Sequence, residues 1–343
     1  MGVGLDEIAK LCGVSRSTVS RVINNDPRVR PETRKRVQSV IRAKNYRPNP
    51  VARSLAGGHS KVIGLVIPMG VGRLFTDPYF PQLIQGVSKA CNARDYSIML
   101  WIAEPEYERR TIGQIINNQL LDGVIVSSSL VDDPLLDALD ESNLPFITIG
   151  RHPTNNQISY VDVDNLGSAR EMVSYMLRLG YRRIGTIAGP QKMVAGIDRL
   201  KGYIAAHKFL SIPVDPDLIV ESDFSEEGGY HAMQQLWQHR PDAVFAASDA
   251  MAIGSTKAIQ EKGLRVPEDI AVVGFDDLPF ASRSTPPLTT VRQPTGRVGA
   301  VAVDTLISMI EKTAIGPHRI ILPTEMVIRN SCSLVSLQSK KEV

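Results

Sequence analysis

The chain has 343 residues, 43% of them hydrophobic, which is ample for a large core and too long for one typical domain. Three cysteines without paired spacing, Cys12, Cys91 and Cys332, exclude a disulfide framework and a cysteine zinc site. No apolar run reaches about 18 residues and the first residues lack a signal-peptide pattern, so secretion and membrane spanning are set aside and a cytoplasmic protein is expected.

The formal net charge of +3 conceals an asymmetry. Residues 1–60 carry 12 Lys and Arg against four Asp and Glu, while the rest of the chain has 27 basic and 32 acidic side chains. A phosphate-binding head on an ordinary α/β protein has this distribution, because phosphate attraction dominates affinity for DNA. A solvated basic bundle has it too, and charge alone does not separate them.

Leu5, Ile8, Ala9 and Cys12 form one apolar helical stripe, which Gly13 ends with a left-handed turn. Ser15 is placed to cap a second helix, with Val19, Val22 and Ile23 facing inward and Arg16, Ser17, Ser20 and Arg21 outward. Two helices joined by a tight turn, the second showing hydrogen-bonding side chains, suit major-groove reading. A third helix opens at Pro31 with Glu32 in its first turn and Val37, Val40 and Ile41 inward; its Arg34, Lys35, Arg36 and Arg42 read as solvated surface.

Asn49-Pro50 then begins a short helical segment stopped by Gly57-Gly58, with Val51 and Leu55 on one face. Alone it is too short to be stable, since isolated helices need roughly 12–15 residues. It is either a hinge that orders when two copies meet on DNA, Leu55 wedging into the minor groove, or a linker with helical bias.

From Lys61 apolar runs alternate with amphipathic stretches, as parallel strands buried on both faces do. Strands are expected at 62–67, 97–101, 123–126 and 146–149, with helices near 80–93, 110–118 and 134–141. The cadence restarts with strands at 160–163, 183–188, 218–220, 243–247 and 270–274, helices near 166–179, 197–208, 226–239 and 251–262, and one strand-like stretch over 319–329. The expected fold is multidomain: a small all-α helix-turn-helix domain (1–47), a hinge (48–60), an α/β part of two doubly wound, parallel-sheet lobes (61–335) and a polar tail (336–343). Ligands of open α/β sheets sit beyond the carboxyl ends of the strands, so Tyr79, Phe80, Arg151, Ser248-Asp249 and Asp276-Asp277 are candidates for a small polar ligand such as a sugar. Read singly, a carboxylate after a strand is more often a helix N-cap.

The runs Leu5–Ala9, Gly13–Asn24, Pro31–Arg34 and Tyr46–Ala56 resemble the head of the LacI/GalR family of bacterial transcription regulators. Gly123–Ile125, Gly180–Ile184, Ala188–Pro190, Arg199–Tyr203, Pro267–Asp277 and Pro287–Val291 resemble its periplasmic-binding-protein-like effector domain. The resemblance implies that Arg16, Ser17 and Arg21 read bases, that Thr18, Ser20 and Asn24 contact DNA backbone or its near neighbours, and that Asn49 and Leu55 belong to a DNA-binding hinge whose wedge is Leu55. It implies a homodimer on a palindromic operator, controlled by a small-molecule effector, sugar-like in character. Tyr79, Phe80, Arg199, Phe224, Asp276 and Gln293 would hold that effector, with Arg151 and Ser248 in the same cleft. Three features depart from the family pattern there: a long Pro68–Asp77 segment, Gly150 in place of a frequent Asp, and Ser248 in place of a common Asn.

Leu334, Leu337 and the Lys340-Lys341-Glu342 tail are too short for several heptads, so no coiled-coil tetramer is expected. Gly70-Val71-Gly72 lacks the third glycine of a dinucleotide fingerprint, and no phosphate loop, nucleophile elbow or paired-histidine metal motif occurs. A non-enzyme without cofactor or metal is the expectation.

Overall fold

The computed structural model describes residues 4–23, 26–46, 59–68, 74, 76–102, 105–117, 120–127, 130–313 and 316–334. Asn24, Asn49, Leu55, the rest of the expected hinge helix, the Gly70–Gly72 stretch and the tail from 335 lie outside them. The chain divides into two compact units, residues 1–61 with 118–122, and the remainder.

The first unit carries α1 (Leu5–Cys12), α2 (Arg16–Ile23) and α3 (Pro31–Ala43). Gly13 ends α1 at φ 60°, ψ 38°, a conformation that costs glycine nothing. Ser15 caps α2, its Oγ accepting from the Thr18 N–H at 3.2 Å. Ile8, Ala9, Cys12, Val19, Val22 and Val37 form the buried centre of the three helices.

The second unit contains two parallel sheets. In the first lobe β1 (Val62–Ile67), β2 (Ser97–Ile102), β3 (Gly123–Val126), β4 (Phe146–Ile149), β5 (Tyr160–Val163) and β11 (Arg319–Leu322) align in the order β11-β5-β4-β3-β1-β2. Helices α4 (Tyr79–Ala93), α5 (Pro105–Ile116), α6 (Pro134–Asp140) and α11 (Thr295–Ile310) accompany it. In the second lobe β6 (Ile184–Ala188), β7 (Ile219–Glu221), β8 (Ala243–Ala246) and β9 (Ala271–Val273) take the order β7-β6-β8-β9, with α7 (Asn165–Arg178), α8 (Val194–Phe209), α9 (Glu226–Leu236) and α10 (Asp249–Glu261). Two apolar clusters, one around Met233 and Ile259 and one around Met172 and Phe245, fill this lobe. A two-stranded antiparallel ribbon joins β10 (Thr290–Arg292) to β12 (Glu325–Val327).

The chain passes between the lobes after β5, between β10 and α11, and between β11 and β12. The stretch expected as one strand over 319–329 is therefore two: Pro323, which has no N–H to continue a ladder, separates β11, parallel to β5, from β12, antiparallel to β10. Helices α5 and α8 begin at Pro105 and Val194, earlier than expected, and α9 ends at Leu236, followed by a 3₁₀ turn, Trp237–His239. Close helix pairing accounts for one glycine: a Cβ on Gly86 of α4 would collide with the Gly296 carbonyl oxygen of α11.

Candidate ligand cleft and recognition helix

On α2 the side chains of Arg16, Ser17 and Arg21 are exposed, and Thr18 and Ser20 are half-buried beside them. The Ser15 Oγ lies 2.8 Å from the Ser17 Oγ and 2.9 Å from the Thr18 Oγ1, so a hydroxyl cluster opens the helix. Arg16 makes only a loose exposed pair with Asp6, 3.6 Å, of the kind that contributes little. Asp26 is taken up by Arg28 through two guanidinium bonds of 3.0 and 2.8 Å, which hold its carboxyl down at about 2. Arg21 makes no ion pair among the described residues and is available to an outside acceptor.

Between the lobes lies a cavity of about 360 Å³ lined by residues of both. Tyr79 and Phe80, in the first turn of α4, meet edge to face with centroids 5.2 Å apart. Burial pushes the Tyr79 hydroxyl pKa up, with the Asp276 charge adding to it, so this phenol stays protonated and keeps a proton to donate to a ligand. Phe224 is held at φ 69°, a conformation uncommon for a bulky residue and one that clusters at ligand sites; its ring stands 5.7 Å from the Arg199 guanidinium.

Arg199, buried on α8, anchors the floor. Its Nε donates to Asn165 Oδ1 at 2.9 Å, and its Nη1 to the Ala247 carbonyl at 2.5 Å and to Asp276 Oδ1 at 3.3 Å. Gln293 donates to the same Asp276 oxygen at 2.6 Å. Asp276 and Asp277 both have positive φ, 127° and 56°, and the turn is pinned from several sides. Asp276 N–H donates to the Val291 carbonyl, Leu278 N–H to Asp249 Oδ2, and Arg292 and Arg329 each approach Asp277 within 2.7 Å. Burial raises the pKa of Asp276, with Arg199 opposing; burial and the Asp276 charge raise that of Asp249.

The predicted residues Tyr79, Phe80, Arg199, Phe224, Ser248, Asp276 and Gln293 all line the cavity. Ser248 also caps α10, its Oγ accepting from the Met251 N–H at 3.2 Å, so the capping and lining roles coexist. Arg151 does not line the cavity; its guanidinium is engaged by Asp198 at 2.6 and 2.9 Å. Sequence reasoning named Asp77 only as the end of the long 68–77 segment, and missed Asp162, Asn165 and Lys192 in the wall. Asp162 and Asn165 flank the carboxyl end of β5, so the strand-end rule applied to the other strands would have found them. Among the described residues no group of three or more His, Cys, Asp or Glu could hold a metal ion, and no helix is long and apolar enough to cross a membrane.

Comparison with known proteins bears on both sites. Residues 4–49 match the pattern of bacterial regulatory proteins of the lacI family, and 173–332 that of the periplasmic binding protein-like domain. The chain is 38% identical to the HTH-type transcriptional regulator CelR of Thermobifida fusca over 331 residues, 95% of this chain and 97% of CelR. It is 33% identical to the ribose operon repressor of Escherichia coli K12, over 95% of this chain and 99% of the repressor. Among solved structures, a CelR–cellobiose complex superposes with a TM-score of 0.77 at 37% identity, covering 96% and 99% of the two chains. The lac repressor dimer bound to operator and an anti-inducer superposes with a TM-score of 0.84 at 28% identity, covering 97% and 100%.

Proposed function

Because this chain belongs to the LacI family of bacterial regulatory proteins, we propose that it is a repressor, present in the cytoplasm and without catalytic activity, whose effector is a small saccharide. It is a sequence-specific DNA-binding transcription regulator that acts as a homodimer on operator DNA under control of a bound effector. In our reading residues 1–47 bind the operator, 48–60 form the hinge, and 61–335 bind the effector and dimerise.

The observation that carries the saccharide reading is the pairing of aromatic walls with a buried polar floor. Tyr79, Phe80 and Phe224 offer ring faces and edges to the apolar faces of a pyranose. Arg199, Asp276, Gln293 and Asn165 converge as donors and acceptors already fixed by one another, the preorganised arrangement that makes hydroxyl recognition specific. Cellobiose is the first probe, since the relative bound to it matches 96% of this chain. On DNA, Arg16, Ser17 and Arg21 read base edges, Thr18, Ser20 and Asn24 hold the backbone, and Asn49 and Leu55 act in the hinge.

Thermal melts of the purified protein with cellobiose, ribose and a nucleoside panel test the effector class. A ligand confined to the folded state stabilises it by about 2.7 kcal/mol at a hundred times its Kd. A saccharide is expected to raise the melting temperature and to change operator affinity. A response to nucleosides alone would overturn the saccharide reading and leave the regulator reading standing.

A further inference from the structure

Among the described residues, two contacts join the lobes beside the cavity. The Val131 N–H, in the first lobe after β3, donates to the Lys192 carbonyl of the second at 2.9 Å, and Leu130 and Met193 form an isolated antiparallel bridge there. The other contact is made by side chains. Arg151, in the loop after β4, places Nη2 2.6 Å from Asp198 Oδ1 and Nε 2.9 Å from Asp198 Oδ2 on α8. Two parallel charge-assisted bonds of this kind are the strongest polar contact a guanidinium makes with a carboxylate. The Asp198 side chain is only 8% exposed and that of Arg151 32%, so the pair is shielded from water on the carboxylate side.

We propose that Arg151 and Asp198 form an electrostatic clasp that holds the two lobes together, making Arg151 a positioning residue rather than an effector contact. Three observations support this. The cavity wall runs through Ile149 and Gly150 and leaves Arg151 out. The Arg151 loop is tied to the floor, because its backbone N–H donates to Asp162 Oδ2 at 2.9 Å and Asp162 Oδ1 accepts from Asn165, the residue that holds Arg199. Asp198 and Arg199 are neighbours in sequence, so one turn of α8 both grips the first lobe and supplies the buried floor of the cleft. Closure of the lobes and the geometry of the floor are thereby set by the same helix. Pairing a charged carboxylate with a charged guanidinium across the cleft biases the open–closed equilibrium by their difference in interaction between the two states. The clasp goes beyond the saccharide reading and does not depend on which effector binds.

Amide hydrogen exchange at Val131 in the full-length protein, with no ligand added, tests it, because among the described residues that N–H bonds to the Lys192 carbonyl across the lobes. Arg151→Gln and Asp198→Asn are each expected to speed exchange at Val131 about tenfold, the coupling expected of a contacting charged pair, while Thr186 in β6 keeps its protection and reports that the second lobe is folded. The double variant is expected to exchange no faster than the faster single one. Wild-type exchange at Val131 in either single variant, or additive acceleration in the double variant, would overturn the clasp. The same outcomes leave the saccharide reading untouched, since that stands on the thermal melts.

Discussion

The Arg199 guanidinium lies 3.8 Å over the ring of Phe275 while donating to Asn165, the Ala247 carbonyl and Asp276. Stacking and a planar fork of donors are satisfied at once by one buried side chain. A lysine cannot reproduce this, having a point charge and no flat face. Arg199→Ala leaves the Asp276 charge buried with its cationic partner gone, and breaking a buried pair costs about 3–5 kcal/mol. Chemical denaturation is expected to show a loss of that order for Arg199→Ala and a smaller one for Arg199→Lys. Both variants are expected to lose the effect of effector on operator affinity; a retained effect in Arg199→Lys would show that the floor reads the ligand through Asp276 and Gln293 alone.

Much of this arrangement was legible from sequence, for identifiable reasons. The head declares itself because caps and a 3.6-residue apolar period are local properties: Gly13, Ser15 and Pro31 mark ends that the structure places at the same residues. Strands β1, β3, β4, β6, β8 and β9 are short apolar runs buried on both faces, whereas β2, β7 and β11 keep exposed positions, and the expected bounds of β3, β4 and β5 coincide with the observed ones. What sequence could not supply is pairing across distance. Nothing in the period of α8 distinguishes Asp198, which meets Arg151 47 residues away, from an ordinary solvated carboxylate. The split of 319–329 between two sheets was hidden for the same reason, since one proline in an apolar run reads as an edge strand as readily as a crossing.

Gly86 and Gly296 bring α4 and α11 into backbone contact. A Cβ at 86 meets the Gly296 carbonyl oxygen, Cα and carbonyl carbon, and backbone atoms within two packed helices cannot yield as a side-chain tip can. Gly86→Ala is therefore expected to behave as overpacking, which costs about 1–3 kcal/mol or more, despite alanine's better helix propensity. Urea unfolding measures it; a stability equal to or above that of the parent would mean that the two helices separate freely.

Arg21 is exposed on α2 without an intramolecular ion pair among the described residues, since Arg28 occupies the nearby Asp26. Removing a base-reading arginine costs about 1–3 kcal/mol of discrimination. Fluorescence anisotropy with a selected palindrome and a scrambled duplex, across a salt series, is expected to show Arg21→Ala losing affinity mainly for the palindrome, with a similar salt slope. Equal losses on both duplexes, with a shallower slope, would reassign Arg21 to a phosphate contact.

Asp276 brings acidity into the switch. Its carboxyl pKa is raised first by burial, with the Arg199 charge and the Gln293 bond opposing and Asp77 adding to the rise. The folded state therefore keeps this proton at a pH where the unfolded chain has released it. The sign follows: the contribution of Asp276 to stability grows as pH falls toward the ordinary aspartate value of about 3.9, and declines as pH rises through the raised value. Ligand binding runs the other way. The ionised carboxylate is the acceptor for a saccharide hydroxyl, and it is the form that holds Arg199 and Gln293 in place. Effector affinity is accordingly expected to fall as pH drops below neutrality, with a limiting slope of about tenfold per pH unit for one obligatory deprotonation. Asp276→Asn should bind more weakly at neutral pH and lose most of this dependence. Calorimetric titrations of both proteins at several pH values decide it: the same affinity throughout for the parent, or an unchanged slope in Asp276→Asn, would place the titrating group elsewhere. Asp249, whose pKa is also raised by burial and by the Asp276 charge, is the first alternative, separable because its oxygens bond to Thr290 and to the Leu278 N–H and it does not line the cavity.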